Sequence, residues 1–168
     1  MQAPLHVVVM GVAGCGKSAV GDRIAGRLGL PLVEGDAFHP EHNIRKMRDG
    51  QALDDADRAG WLQRLCQELA SHPGGAVLTC SALKKAYRDT LRGGASGLRF
   101  VHLSLEPAQA LERVAARPGH FYPASLVSSQ FQALEDPSGE AGVLVVDATA
   151  PLDEVAALAA QWLQDQKA

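Results

Sequence analysis

The chain has 168 residues, 46% of them hydrophobic, and a formal net charge of −3. That length suits one domain around a single core, and the slight acidic excess rules out a general attraction to nucleic acid or an anionic membrane, so any cationic site must be local. Cys15, Cys66 and Cys80 are odd in number and lack metal-ligand spacing, no basic region precedes the first apolar run and no apolar stretch nears spanning length, so free thiols and a cytoplasmic location are expected.

The first element is Leu5–Met10, a β-branched apolar run that reads as a buried strand ending at Gly11. A helix is expected over Lys17–Leu28, with Ala19, Val20, Ile24 and Leu28 toward the core and Gly29 as its stop. "LPLVEGD" reads as a second strand, and "HPEHNIRKMRDG" as a helix with Pro40 in its first turn. "DDADRAGWLQRLCQELASHPGG" is a clearer helix, capped by Asp54 or Asp55, with Trp61, Leu62, Leu65 and Leu69 as its apolar stripe. "AVLTC", "LRFVHLSL" and "GVLVVDA" read as further strands. "LKKAYRDTLR", "PAQALERVAAR", "ASLVSSQFQALE" and "PLDEVAALAAQWLQDQ" read as helices, and "PGHFYP" as an exposed loop. Strands alternating with helices imply an α/β fold, a parallel sheet covered on both faces. No linker or repeat divides the chain, so residues 1–168 read as one domain.

Between the first strand and first helix lies "GVAGCGKS", a complete G-x-x-x-x-G-K-[ST] pattern. Its residues Gly11, Val12, Ala13, Gly14, Cys15, Gly16, Lys17 and Ser18 are expected to bind a nucleotide. Glycines let backbone N–H groups turn inward around phosphate oxygens, and the helix N-terminus adds its dipole. Lys17 would reach the β- and γ-phosphates, and Ser18 would ligate Mg²⁺. Cys15, close to that helix N-terminus, sits where a thiolate is favoured.

The loop does not decide where the phosphate goes. No Asn-Lys-x-Asp motif marks a GTPase, and "AVLTC" runs into Ser81 rather than an acidic pair. Acidic groups instead follow the second strand. Glu34 and Asp36 alternate, so both can project at the ligand-binding end of a parallel sheet. One could hold metal-bound water while the other accepts a proton from an alcohol. A solvated acidic turn is the plainer reading of the same residues. Arg113 and Arg117 share a helix face leading into the loop bounded by Pro118 and Pro123. They suit a phosphoryl-transfer site, and equally a solvated helix end. Ser81 and Lys84 lie just beyond the third strand, with Tyr87 and Arg88 on the next helix; capping and solvated charge are their plainer roles. His39 and His120 fall in the two candidate site loops, whereas His6 and His102 read as core or edge residues.

The chain resembles a gluconate kinase (gluconokinase) of the P-loop type. The segments that carry the resemblance are "GVAGCGKS", "EGDAFHPEHNIRKMRDGQALDDADRAGWL", "CSALKKAYRDTLR", "RPGHFYPASLVSSQFQALE" and "VLVVDATAPLDE", in the family's order over nearly the whole chain. Cys15 stands where the family often has serine, and Glu34 where it often has aspartate. The resemblance implies transfer of phosphate from ATP, with Mg²⁺, to D-gluconate, giving 6-phospho-D-gluconate. It also implies a P-loop NTPase three-layer sandwich of the nucleoside monophosphate kinase group, with a five-stranded parallel sheet, a mobile lid at about 117–130, and a homodimer. Under it Lys17, Asp36 and Arg117 become the catalytic residues, Asp36 as base on the 6-hydroxyl. Arg113 joins the nucleotide side, and Ser18 and Glu34 serve the metal. Gluconate would meet Asp36, His39, Lys46, Arg58, Ser81, Lys84, Arg88 and His120, with Arg45 nearby, and adenine would lie toward residues 147–152. Another small-molecule kinase of this fold, similar to shikimate kinase, and a nucleotide-binding regulatory protein without turnover remain the alternatives.

Overall fold

The first strand, β1 (Leu5–Met10), is buried at every position, as a run without polar alternation requires. Its side chains divide between two cores. Val7 and Val9 pack with Val20 and Ile24, while Val8 and Met10 pack with Trp61 and Leu65. The computed structural model describes residues 4–116 and 124–166. Over these the chain continues as α1 (Lys17–Leu28), β2 (Leu32–Glu34), a 3₁₀ turn (Gly35–Phe38), α2 (Glu41–Arg48), α3 (Asp55–Ala70), β3 (Gly75–Thr79), α4 (Lys85–Arg92), β4 (Arg99–Ser104), α5 (Pro107–Ala116), α6 (Ala124–Ala133), β5 (Val143–Asp147) and α7 (Leu152–Gln166). The five strands are all parallel, in the order β2-β3-β1-β4-β5. Val20 and Ile24 of α1 and Val155, Ala159 and Leu163 of α7 cover one face. Trp61, Leu65 and Leu69 of α3 and Tyr87 and Leu91 of α4 cover the other. This is the α/β sandwich of a P-loop NTPase.

Local chemistry trims the expected elements. "LPLVEGD" yields only three strand residues because the chain turns at Gly35 against β3. A Cβ at Gly35 would lie 2.1 Å from the Thr79 carbonyl oxygen, so no side chain fits. At α3 the capping residue is Asp54. Its carboxylate accepts from the Asp57 amide at 2.7 Å, and the Asp57 carboxylate accepts from the Asp54 amide at 3.0 Å. From β1 the chain departs toward β2, and from β4 it departs toward β5 on the other side of the sheet. The carboxyl ends of β1 and β4 therefore flank a switch point, where a parallel sheet opens a crevice for ligands.

Candidate active site

The loop between β1 and α1 opens that crevice. Gly14 and Gly16 have φ of 84° and 94°, a left-handed region that residues with side chains seldom enter. Ala13, Gly14, Gly16, Lys17 and Ser18 line the cleft. Val12 and Cys15, each 2% exposed, are buried in the core instead. Only their backbone can face a phosphate, and Cys15 is not the accessible thiol its position in the loop suggests. The Lys17 ammonium donates to the carbonyls of Gly11 at 3.0 Å and Val12 at 3.2 Å, which keeps it over the loop.

Parallel pairing of β2 with β3 sets Glu34 beside Thr79. One Glu34 carboxylate oxygen accepts from the Thr79 hydroxyl at 2.7 Å and from the Ser18 hydroxyl at 3.0 Å. Ser18 comes from the loop and Glu34 from the end of β2, so the fold joins two oxygen groups that are 16 residues apart. Hard oxygen donors of this kind suit Mg²⁺, which keeps much of its water and leans on phosphates rather than on a protein cage. Among the described residues no group of three or more His, Cys, Asp or Glu side chains forms such a cage.

The 3₁₀ turn carries the second acidic residue. Asp36 lines the cleft with its side chain 83% exposed. The His39 ring beside it stacks on Trp61, with centroids 4.0 Å apart. The Asn43 side-chain amide donates to the Asp57 carbonyl at 3.0 Å and lies 3.2 Å from His39 Nδ1, which therefore accepts. The proton of the neutral ring then sits on Nε2, 3.7 Å from the Asp36 carboxylate. Burial holds the His39 pKa below its ordinary value, although Asp36 pulls the other way. Trp61, expected only as a core anchor, also lines the cleft, and its indole N–H donates to the Gly35 carbonyl at 2.9 Å.

Arg58 reaches the cleft from α3. Its guanidinium donates to the Tyr87 hydroxyl at 3.1 Å and lies 5.4 Å from that ring's centroid. Tyr87 donates in turn to Asp55, which also accepts from Lys84 at 3.0 Å. These two bonds hold the Asp55 carboxyl below its usual range. Arg113 also lines the cleft, donating to the Gly14 carbonyl at 3.2 Å and to the Ala148 carbonyl at 2.8 Å. It thereby ties the phosphate loop to the chain leaving β5.

Lys17, Ser18, Asp36, His39, Arg58, Ser81 and Arg113 thus meet at one cleft. Lys46 and Lys84 do not line it. Lys46 lies 2.5 Å from Asp57 and drives that carboxyl down to about 2, with help from the Asp54 amide. Arg88 is a correction. Its side chain is fully buried and every N–H of its guanidinium is bonded inside the protein, to Ala82, Leu83, Glu135 and Glu140. A buried cation must be paired where it lies, so Arg88 has no donor left for a substrate. Arg117 and His120 lie outside the described residues, as does the first half of the expected lid; its remainder lies in α6.

Sequence reasoning named no individual residue of α6 for the site, although the expected lid reached residue 130. Leu126, Ser129 and Gln130 line the cleft, and Gln130 accepts from the Ala13 amide at 2.6 Å. The run of three consecutive polar residues "SSQ" was the available signal.

A family model described as an AAA domain matches residues 7–137. The gluconokinase of Gluconobacter oxydans is 48% identical over 149 residues, covering 85% of this chain and 82% of that protein. The chain belongs to the gluconokinase family. The thermoresistant gluconokinase of Escherichia coli is 42% identical over 154 residues, covering 89% of this chain and 88% of its own. The crystal structure of a gluconokinase from Sinorhizobium meliloti superposes with a TM-score of 0.91 at 46% identity, covering 99% of this chain and 95% of the other. In this gluconokinase-family chain much of the long segment from Glu34 to Leu62 is architectural. Asn43 and Lys46 of α2 both bond to Asp57 of α3, and so fix α2, which begins just after His39, against the helix that carries Arg58.

Proposed function

We propose that the protein transfers the γ-phosphoryl group of ATP to the 6-hydroxyl of D-gluconate, giving 6-phospho-D-gluconate and ADP. One observation carries this reading: a phosphate-type loop and a mixed polar wall face the same cleft of about 560 Å³. Asp36, His39 and Ser81 offer hydroxyl partners and Arg58 a cation for a carboxylate, the mixture that an open-chain polyhydroxy acid requires.

In this reading the amides of residues 11–18 hold the phosphates, and Lys17 swings from the loop carbonyls to the transferred group. Ser18 and Glu34 would hold Mg²⁺, which would supply neutralisation of phosphate charge when bound. Asp36 accepts the proton of the 6-hydroxyl, and the Nε2–H of His39 orients it. Arg58, fixed by Tyr87, receives the carboxylate. Arg117 and His120 act from a lid at about 117–130, which excludes water, and Arg113 stabilises the nucleotide side near residues 147–152.

The same proposal takes the chain as one kinase domain working as a homodimer in the cytoplasm, without nucleic-acid or membrane partners. No helix among the described residues is long and apolar enough to cross a membrane. A coupled assay for ADP release with gluconate, glucose or shikimate tests the activity, and sedimentation tests the dimer. Turnover should require gluconate. A kcat/KM for glucose or shikimate comparable to that for gluconate overturns the assignment.

A further inference from the structure

Ala82 has a φ of 48°, and it is the only residue other than glycine with positive φ among the described residues. Such a backbone persists only where its surroundings enforce it. Ala82 follows Ser81, which lines the cleft, so the strained peptide adjoins the acceptor wall. On one side of this turn the Gly11 amide donates to the Ser81 carbonyl at 3.3 Å. On the other side Arg88 donates to the carbonyls of Ala82 at 2.8 Å and Leu83 at 3.1 Å.

The rest of the guanidinium is anchored as firmly. It bonds the Glu140 carboxylate through two nitrogens, at 3.1 and 2.6 Å, and the Glu135 carbonyl at 3.0 Å. Arg92 also donates to Glu140 at 2.9 Å, on the carboxylate oxygen that Arg88 Nε bonds. The Glu135 amide donates back to the Leu83 carbonyl at 2.7 Å, and its carboxylate accepts from the Lys85 amide at 2.7 Å. Five donors in a rigid plane can satisfy two adjacent carbonyls and a carboxylate together, whereas a lysine ammonium cannot. Glu140 takes only two of the five donors, and burial requires partners for the other three; two of those partners are consecutive carbonyls of the strained turn, so satisfying the buried charge also ties the turn down.

We propose that Arg88 is a positioning residue of the active site: it clamps the 81–83 turn in its left-handed conformation and so presents Ser81 to the phosphoryl acceptor. The clamp also joins that turn to the chain leaving α6, the helix that lines the same cleft through Gln130. The effect on substrate rests on the gluconate reading above; the clamp itself does not.

The test combines Arg88→Lys, Ala82→Gly and the double variant. Arg88→Lys should raise the KM for gluconate about tenfold while the KM for ATP stays within about twofold. Ala82→Gly alone should change neither by more than about twofold. Added to Arg88→Lys it should recover most of the lost gluconate KM, because glycine adopts this φ without strain. Equal rises in both KM values, no rise, or no recovery from Ala82→Gly overturn the proposal. If Arg88→Lys does not fold, Glu140→Gln, which keeps the shape and weakens the anchor, is read in the same way. Amide exchange separates the two readings. Arg88→Lys should speed exchange at Lys85 and its neighbours relative to β3 whether or not gluconate is the substrate, and unchanged exchange there refutes the clamp. Lack of gluconate turnover by the parent protein refutes only the substrate assignment.

Discussion

Replacing Gly35 with alanine places a methyl group 2.1 Å from the Thr79 carbonyl oxygen. Carbon–oxygen contacts settle near about 3.3 Å, so the turn and β3 must separate by roughly 1 Å. That separation strains the bond from the Trp61 indole to the Gly35 carbonyl, now 2.9 Å, and the bond from the Gly35 amide to the Thr79 hydroxyl, now 3.3 Å. Each is worth about 1 kcal/mol, and forced overpacking adds about 1–3 kcal/mol. We therefore expect a loss of about 3–5 kcal/mol of stability, read from urea unfolding followed by circular dichroism. The functional loss should be larger than stability alone implies. Gly35 lies between Glu34 and Asp36, and a shift of roughly 1 Å in reacting groups costs on the order of 10²-fold in rate. Steady-state ADP release at a temperature where the variant stays folded should show that fall in kcat. A folded Gly35→Ala protein with near-parental kcat and urea midpoint would refute the view that this contact sets the acidic groups.

Asp36→Asn keeps the shape of the side chain but removes its basicity, so kcat should fall at least about 10²-fold with nucleotide binding nearly unchanged. A raised gluconate KM at full kcat would make Asp36 a binding residue only. His39 and His102 are both held below the ordinary histidine pKa of 6.5, chiefly by burial, with Arg58 and Arg88 respectively pushing the same way. The folded chain then binds fewer protons than the unfolded chain just below pH 6.5, so stability should be full above that pH and decline as pH falls through the depressed values. Urea midpoints from pH 8 to 5 test this, and His39→Gln should flatten part of the slope. Among the thiols, Cys66 is only partly buried, Cys15 is buried, and burial pushes Cys80 up to about 12. Iodoacetamide should therefore label Cys66 first, read by peptide mass spectrometry, and faster labelling of Cys15 would contradict its placement in the core.

Periodicity and turn chemistry, which are local, were enough to place the strands and helices, because a doubly covered parallel strand such as Leu5–Met10 must be apolar throughout. The phosphate loop was legible for the same reason: its glycines, Lys17 and Ser18 are consecutive, and the chemistry lies in that spacing. Ionic residues distant from one another were not legible in this way. Arg58, Lys46, Lys84 and Arg88 looked alike as cations near the mouth of the sheet. Which of them faces the cleft depends on where Asp55, Asp57, Glu135 and Glu140 come to rest. Tertiary packing pairs Lys46, Lys84 and Arg88 with those partners, and leaves Arg58, supported by Tyr87, at the cleft. A charge leaves water only where a counter-charge and hydrogen bonds await it. The sequence alone therefore determined the fold and the phosphate loop, and three-dimensional packing decided which cation could meet a substrate.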